Sequence, residues 1–368
     1  MSDERLTVRS LFREYEAAFV EDVVSPLAKE VATGAIVIDR AVYNLHGSRL
    51  NGLLDPDRTI IIDATEENKT LDGCQRLINT LVERRFRRDS TVVAIGGGII
   101  QDIAAFSASI LYRGVEWVFV PTTLLAQADS CIGSKTSINL GNKKNLIGNF
   151  YPPSRILIDT AFLETLSVED IKSGIGEILH FYYYAGSPMV ARLMAEYDRL
   201  LVGRARLRPY IRESLCIKQA VAEKDEFDKG ERNKFNYGHT FGHALESATQ
   251  YAIRHGLAVT VGMDLANYLS VQLGRMSAES FNELHGVLRR NFPSVDLSTV
   301  DLDRYIAALA KDKKNIGADL VCILASGPGQ LEKVRLSLDR NLSGVISHYF
   351  LGRVWQIDAI VAETFKSA

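Results

Sequence analysis

The chain has 368 residues, 46% of them apolar and 24% charged, an ordinary folded composition at a length that favours two domains over one core. A net charge of -2 without basic runs argues against nucleic acid and anionic membranes as main partners. Cys74, Cys131, Cys216 and Cys322 form no CxxC pair, so neither a zinc ribbon nor a disulfide framework is expected; with no secretory-type start and no run of eighteen apolar residues, the expected location is cytoplasmic.

From about Gly34 to Asp159, short apolar runs alternate with amphipathic segments. "GAIVIDR", "RTIIIDA", "STVVAIGGG", "VEWVFVPTT" and "RILID" are β-rich and bounded by Gly, Pro or Asp, which predicts buried strands. "TLDGCQRLINTLVERRF" and "IIQDIAAFSASILYRG" between them have helical spacing, and this alternation predicts a parallel sheet with covering helices. After about Thr165 the segments become long, amphipathic and helical, from "SVEDIKSGIGEILHFYYYAG" through "LRPYIRESLCIKQAVAEKDEF" to "SAESFNELHGVLRRNF", with a small hairpin at "DLVCILASGPGQLEKV" before a last helix. The expectation is an α/β domain over 1–165 and a helical domain over 166–368, with a site in the cleft between them.

"VVAIGGGIIQD" sets three glycines after a strand and before a helix. Without side chains there, backbone N–H groups and the helix dipole can meet a pyrophosphate, with Asp102 in reach of a ribose. The spacing is not GxGxxG, and a tight turn would use the same glycines. "DSCIGSKTSINLGNKKNLIGNFYPP" gathers Asp129, Ser134, Lys135, Lys143, Lys144 and Asn145 among glycines, a composition suited to gripping phosphate. A solvated basic loop is the alternative, but "VPTTLLAQ" leads into it from a strand end, where α/β sheets place ligands.

His239 and His243 lie four apart on one helical face, and His255 follows beside Gly256. A lone histidine on such a face is usually core or a cap, but three within seventeen residues shift the balance. No HExxH pattern is present, so a metal's carboxylate ligand must come from elsewhere. "GIGEILH" offers Glu177, an acid flanked by apolar residues, for which a cation is a natural partner. Before the histidines, Lys218, Glu226, Asp228, Arg232 and Asn236 read either as a surface charge run or as the polar wall of an active site.

Taken together, GGG-x-x-x-D, RGV-x-x-x-x-VPTTLLAQ-x-DS-x-IG-x-KT, KNLIG-x-F-x-P, GE, DE-x-x-x-G-x-R-x-x-x-N-x-GHTFGHA-x-E and HG-x-AV-x-x-GM occur in order. In these residues, from about "EENKT" to "DKKN", the chain resembles 3-dehydroquinate synthase and its relatives, the sugar phosphate cyclases. The resemblance implies an α/β N-terminal domain with a parallel sheet that binds NAD, and a helical C-terminal domain that holds Zn2+ or Co2+. It implies Glu177, His239 and His255 as metal ligands and His243 as a phosphate-side residue. Glu66, Lys69, Gly97, Gly98, Asp102, Thr122, Thr123 and Lys144 would line the NAD site. Asp129, Lys135, Asn145, Lys218, Asp228, Arg232, Asn236, His180 and Lys314, or Lys313 in its place, would face substrate. Arg113 would reach a neighbouring subunit's phosphate site, which implies a homodimer.

The implied reaction is redox-neutral cyclisation of 3-deoxy-arabino-heptulosonate 7-phosphate to 3-dehydroquinate. Hydride leaves to NAD, phosphate is eliminated, hydride returns, the ring opens, and an aldol closure makes the carbocycle. Four positions depart from the family's pattern. His180 stands where the family has a lysine, a shorter and mostly neutral replacement that implies altered substrate contacts. Asp228 replaces a glutamate, and Gln101 and Ser134 replace glycines. Arg232, the two-pronged donor a carboxylate requires, favours an acid substrate. The competing readings are a cyclase of sedoheptulose 7-phosphate or glucose 6-phosphate, a metal-dependent alcohol dehydrogenase, and a non-catalytic binding relative.

Overall fold

The computed structural model describes residues 4–141, 143–312, 314–317 and 319–358. They form two compact units: the chain up to Ser167 together with Gly203–Glu226, and Val168–Val202 together with the chain from Phe227 onward.

The first unit is built on a seven-stranded sheet. Its strands are Arg5–Arg9 (β1), Glu14–Phe19 (β2), Ala35–Asp39 (β3), Thr59–Ile62 (β4), Val92–Gly96 (β5), Trp117–Pro121 (β6) and Arg155–Ile158 (β9), in the order β1-β2-β9-β6-β5-β3-β4. β1 pairs antiparallel with β2, and every other neighbouring pair is parallel. The apolar runs "VVAIG" and "WVFVP" are buried along their whole length, as strands covered on both faces must be. Ile36, Ile38, Val93, Ile95, Val118 and Val120 pack with Val23 and Leu27 of helix Val24–Thr33 (α1) and its N-terminal flank. Helices Arg40–His46 (α2), Leu71–Glu83 (α3) and Gly98–Ile110 (α4) connect the strands, and Ile138–Leu140 (β7) with Lys143–Ile147 (β8) form a separate small hairpin.

The five strands expected from the sequence are present as β3, β4, β5, β6 and β9. The hairpin β1–β2 adds two more at one edge. From β3 the chain passes through α2 to β4 on one side, then returns to β5 on the other. The order therefore switches between β3 and β5, and the carboxyl ends flanking such a switch are where open α/β sheets bind ligands.

The second unit contains Val168–Ala185 (α5), Ser187–Val202 (α6), His239–Ala248 (α8), His255–Gln272 (α9), Ala278–Arg289 (α10), Leu302–Ala310 (α11) and Arg340–Leu351 (α12), with the hairpin Asp319–Gly327 (β10) and Gln330–Ser337 (β11). α9 is buried continuously from Gly256 to Ser270, because α5, α8, α10, α12 and β10 surround it. A helix apolar all round is the sequence of such a central element.

One segment departs from the two continuous domains 1–165 and 166–368. Arg208–Ala222 (α7) belongs to the first unit. Its Ser214 hydroxyl donates to the Ala128 carbonyl at 2.8 Å, and Lys218 Nζ donates to the Asp129 carbonyl at 2.7 Å. These contacts satisfy backbone carbonyls in the wide helical turn Ala126–Ser130. The pairing is with a segment far away in sequence, so helical periodicity carries no sign of it.

Candidate active site

In the second unit, three helices deliver one side chain each to a common point. Glu177 lies on α5, His239 is the first residue of α8, and His255 is the first residue of α9. Glycines let the helices approach closely. A Cβ on Gly256 would sit 1.8 Å from the Ser173 carbonyl oxygen of α5, and one on Gly262 would sit 2.1 Å from the Gly238 carbonyl oxygen at the start of α8. Gly256 N–H donates to Ser173 Oγ at 3.0 Å, and Arg254 Nε meets Asp170 at 2.7 Å, so the crossing of α5 and α9 is also pinned by polar contacts.

The result is a three-donor cluster. His255 Nε2 lies 3.1 Å and His239 Nε2 3.7 Å from Glu177 Oε1, and the carboxylate is 1% exposed. Glu177 Oε1 is buried without a hydrogen bond of good geometry. Ligand atoms of Glu177, His239 and His255 all lie within 4.8 Å of one another, a set able to hold a metal ion. His243, Glu246 and His255 meet the same distance limit.

Each ligand-type histidine is held from behind. His239 Nδ1 is 3.2 Å from the Tyr237 carbonyl, and His255 Nδ1 is 3.0 Å from Glu246 Oε2. Both partners only accept, so Nδ1–H donates on each ring, and Nε2 is the atom left to face Glu177. Burial alone would raise the Glu177 carboxyl, but His239, His255 and His180 hold it far below the usual carboxylate range. Burial pushes His239 down to about 3, helped by His180, His255 and Lys314 and opposed by Glu177. His255 goes the other way: burial would lower it, but Glu246 and Glu177 raise it well above the ordinary value. The electrostatics thus favour positive charge at the meeting point of the two carboxylates.

His180, expected at the substrate, is deeply buried. Its side chain is 1% exposed, packed against Phe181, Phe235 and His239, with Nδ1 3.8 Å from Glu177 Oε2. It lies one turn after Glu177 on α5 and faces the same interior. His243 is exposed, with its ring centroid 5.5 Å from those of His239 and His255. Arg232 is 7% exposed in the short helical turn Glu231–Asn236. Asn233, which the sequence does not single out, organises that turn: its Nδ2 donates to the Asp228 carbonyl at 2.8 Å, and its carbonyl accepts from Asn236 Nδ2 at 2.9 Å. Lys314 is among the charges that help burial hold His239 down, while Lys313 lies outside the described residues.

The first unit assembles the residues expected at a nucleotide. Gly97 caps α4 at the end of β5, and a Cβ there would reach 3.0 Å from Thr123 Cγ2. Thr122 N–H donates to the Gly96 carbonyl at 3.0 Å, which joins the "PTT" segment to the glycine turn. Lys69 Nζ bridges Asp102 at 2.6 Å and Asn145 at 2.8 Å, and Lys144 pairs with Glu66 at 2.7 Å. Asn139, absent from the sequence-based set, ties this group together by donating to Glu66 Oε2 at 2.8 Å and accepting from Asn145 N–H at 3.0 Å. Gln101 and Ser130 exchange hydrogen bonds, at 2.7 Å from Nε2 to the Ser130 carbonyl and 2.6 Å from the Ser130 hydroxyl to Oε1, so Gln101 serves packing. Lys218 and Asp129 form an ion pair at 2.8 Å, and Lys135 is exposed. Arg113, Asn145 and Asp228 have left-handed backbones, φ 67°, 55° and 62°, strain of a kind that concentrates at working sites.

Residues 59–173 match the family model for the 3-dehydroquinate synthase N-terminal domain, and residues 174–315 match that for its C-terminal domain. The 3-dehydroquinate synthase of Rhodopseudomonas palustris is 36% identical over 343 residues, covering 86% of this chain and 89% of that protein. The chain belongs to the 3-dehydroquinate synthase family. The 3-dehydroquinate synthase of Methylococcus capsulatus is 36% identical over 312 residues, covering 84% of this chain and 82% of that protein. A solved structure of 2-epi-5-epi-valiolone synthase from Streptomyces hygroscopicus subsp. jinggangensis, with NAD+ and Zn2+ bound, is similar at a TM-score of 0.81 and 25% identity, covering 93% of this chain and 98% of that one. The α/β unit with its parallel sheet and the helical unit with its histidines are the fold expected of a 3-dehydroquinate synthase family member. No helix among the described residues is long and apolar enough to cross a membrane.

Proposed function

We propose that the chain converts 3-deoxy-arabino-heptulosonate 7-phosphate to 3-dehydroquinate with loss of phosphate, using NAD and a divalent metal ion. The carrying observation is the convergence of Glu177, His239 and His255 in a chain 36% identical to 3-dehydroquinate synthases over most of its length. The residues fit both groups. A buried carboxylate oxygen facing two oriented imidazole nitrogens is a donor set for zinc or cobalt. The glycine turn closing β5 at the switch point leaves the space a Cβ would fill, beside helix N–H groups suited to a pyrophosphate.

NAD supplies reversible hydride transfer, and the metal supplies charge that stabilises an alkoxide as it forms. The protein's own groups bind and orient. Arg232 offers two parallel donors to the substrate carboxylate. Lys135, Asn145, His243 and Lys314 supply charge and donors for phosphate, and Asp129 with Lys218, together with Asn236 and Asp228, positions substrate hydroxyls. Glu66, Lys69, Asp102, Thr122, Thr123 and Lys144 hold the nucleotide from the rim of the sheet. Zinc, a cytoplasmic location and a homodimer to which Arg113 contributes complete the reading; four widely spaced cysteines without a CxxC motif are in keeping with a reducing compartment.

The test is phosphate release by the purified protein supplied with NAD and zinc, with the heptulosonate phosphate and sedoheptulose 7-phosphate offered separately and product masses recorded. Release from the first with the mass of 3-dehydroquinate is expected. Release from the second alone would transfer the chain to a different substrate.

A further inference from the structure

His255 stands between two carboxylates. Its Nε2 faces Glu177 Oε1 at 3.1 Å, and its Nδ1 faces Glu246 Oε2 at 3.0 Å. Glu246 is 9% exposed and sits on α8, one turn beyond His243 and two turns beyond His239, the other nitrogen donor. The two donor histidines are therefore held unequally. His239 leans on a neutral backbone carbonyl, whereas His255 leans on an ionisable acid. A carboxylate behind an imidazole fixes the ring's orientation, assigns the proton to Nδ1 and makes Nε2 a stronger donor.

We propose that Glu246 is a positioning residue for the metal centre: it fixes His255 with Nδ1–H towards itself and Nε2 towards the ion, completing a carboxylate–histidine–metal relay whose first carboxylate is not a ligand. This inference rests on the reading of Glu177, His239 and His255 as the metal ligands. It explains why α8 carries an acid on its inward stripe. It also accounts for the second three-donor group, His243, Glu246 and His255, without a second ion: Glu246 takes the Nδ1 side of a ring whose Nε2 serves the first group.

The test measures ion number and affinity by competition with a chelator, using zinc, and the visible absorption of the cobalt-loaded protein. The variants are Glu246→Ala, Glu246→Gln, Glu246→Asp and, as a control on the ligand reading, His255→Ala. One ion per chain is expected in the unaltered protein and none in His255→Ala. Glu246→Ala should bind the ion about ten- to a hundredfold more weakly, with altered cobalt bands. Glu246→Gln still accepts from Nδ1–H and should lose less than Ala; Glu246→Asp keeps the charge but not the reach and should resemble Ala. If Ala fails to fold in a melting experiment, Gln and Asp decide by the same order.

Retention of unaltered affinity and spectrum by the Glu246 variants, with His255→Ala still metal-free, overturns the inference and leaves the ligand reading standing. Two ions in the unaltered protein and one in Glu246→Gln also overturn it, by making Glu246 a ligand in its own right. Full affinity in His255→Ala defeats the ligand reading itself.

Discussion

A single buried guanidinium carries the proposed preference for an acid substrate. Arg232 is 7% exposed and is carried on a turn that Asn233 holds from both sides. Such a side chain can present a planar pair of donors with little further loss of freedom. A hydrogen bond to a charged group contributes about 1.5–3 kcal/mol, so Arg232→Ala should lower kcat/KM for the heptulosonate phosphate roughly ten- to a hundredfold, mainly through KM. Arg232→Lys should recover part of this, as a point charge without the fork. Unchanged KM in Arg232→Ala would remove the reason for an acid substrate. Of the ligand-type residues, His239 and His255 were legible as histidines close in sequence and Glu177 as an acid flanked by apolar residues, while the resemblance joined them into one set. Glu246 was not singled out: 239, 243 and 246 form one stripe of a helix, but in isolation it reads as a surface acid. Asn139 and Asn233 were not legible: their importance lies in which distant groups they bridge, and no local pattern records that.

At the scale of elements, the metal cluster is a consequence of how closely three helices lie. Gly256 has no room for a methyl group, since its Cβ would meet the Ser173 carbonyl oxygen at 1.8 Å, and backbone cannot rotate aside. Gly256→Ala must push α5 from α9 and with it Glu177 from His255. Overpacking of this kind costs about 1–3 kcal/mol, and the variant should also bind zinc more weakly. Gly286→Ala on α10 is the comparison, because nothing lies within 4 Å of its added methyl; it should be neutral or stabilising by up to about 1 kcal/mol, as for a glycine in a helix interior. Denaturant midpoints and zinc competition measure both, and a Gly256→Ala protein with unaltered zinc affinity would show that helix spacing does not set the site. The central strands were legible because burial on both faces writes a continuous apolar run. β1 and β2 were not, since "RLTVR" and "EYEAAF" alternate charge with apolar residues at an edge that faces solvent on one side. α7 was legible as a helix but not as a member of the first unit, because the partner that buries it, Ala126–Ser130, lies some eighty residues earlier.

For the molecule as a whole, stability is read separately in each unit, because the two tryptophans are divided between them: Trp117 lies in β6 of the first and Trp355 in the second. A chain with two compact units need not unfold in one step, so a global signal would mix two equilibria. Trp117→Phe leaves Trp355 to report the second unit. There, His285 of α10 is fully buried, with Nδ1 at 2.9 Å and 3.0 Å from the two oxygens of Asp264 on α9 and Nε2 at 2.9 Å from the Ile357 carbonyl. Tyr349 of α12 donates to the same carboxylate at 2.6 Å. Both ring nitrogens face acceptors, so the protonated ring satisfies all of them and the neutral ring leaves one unmet. Burial alone would lower its pKa, but Asp264 and the Ile357 carbonyl raise it. A histidine raised in the folded state contributes stability that is fully present below its unfolded value, about 6.5, and is lost as pH climbs through the folded one. The Trp355 denaturation midpoint in Trp117→Phe should therefore fall as pH rises above about 6.5. Other histidines of the unit titrate as well, so the comparison is with Trp117→Phe/His285→Gln, in which the decline should be shallower and the low-pH midpoint lower. Equal slopes in the two proteins would mean that His285 is neutral in the fold, and that the Asp264 carboxylate is held by Tyr349 without a cation beside it.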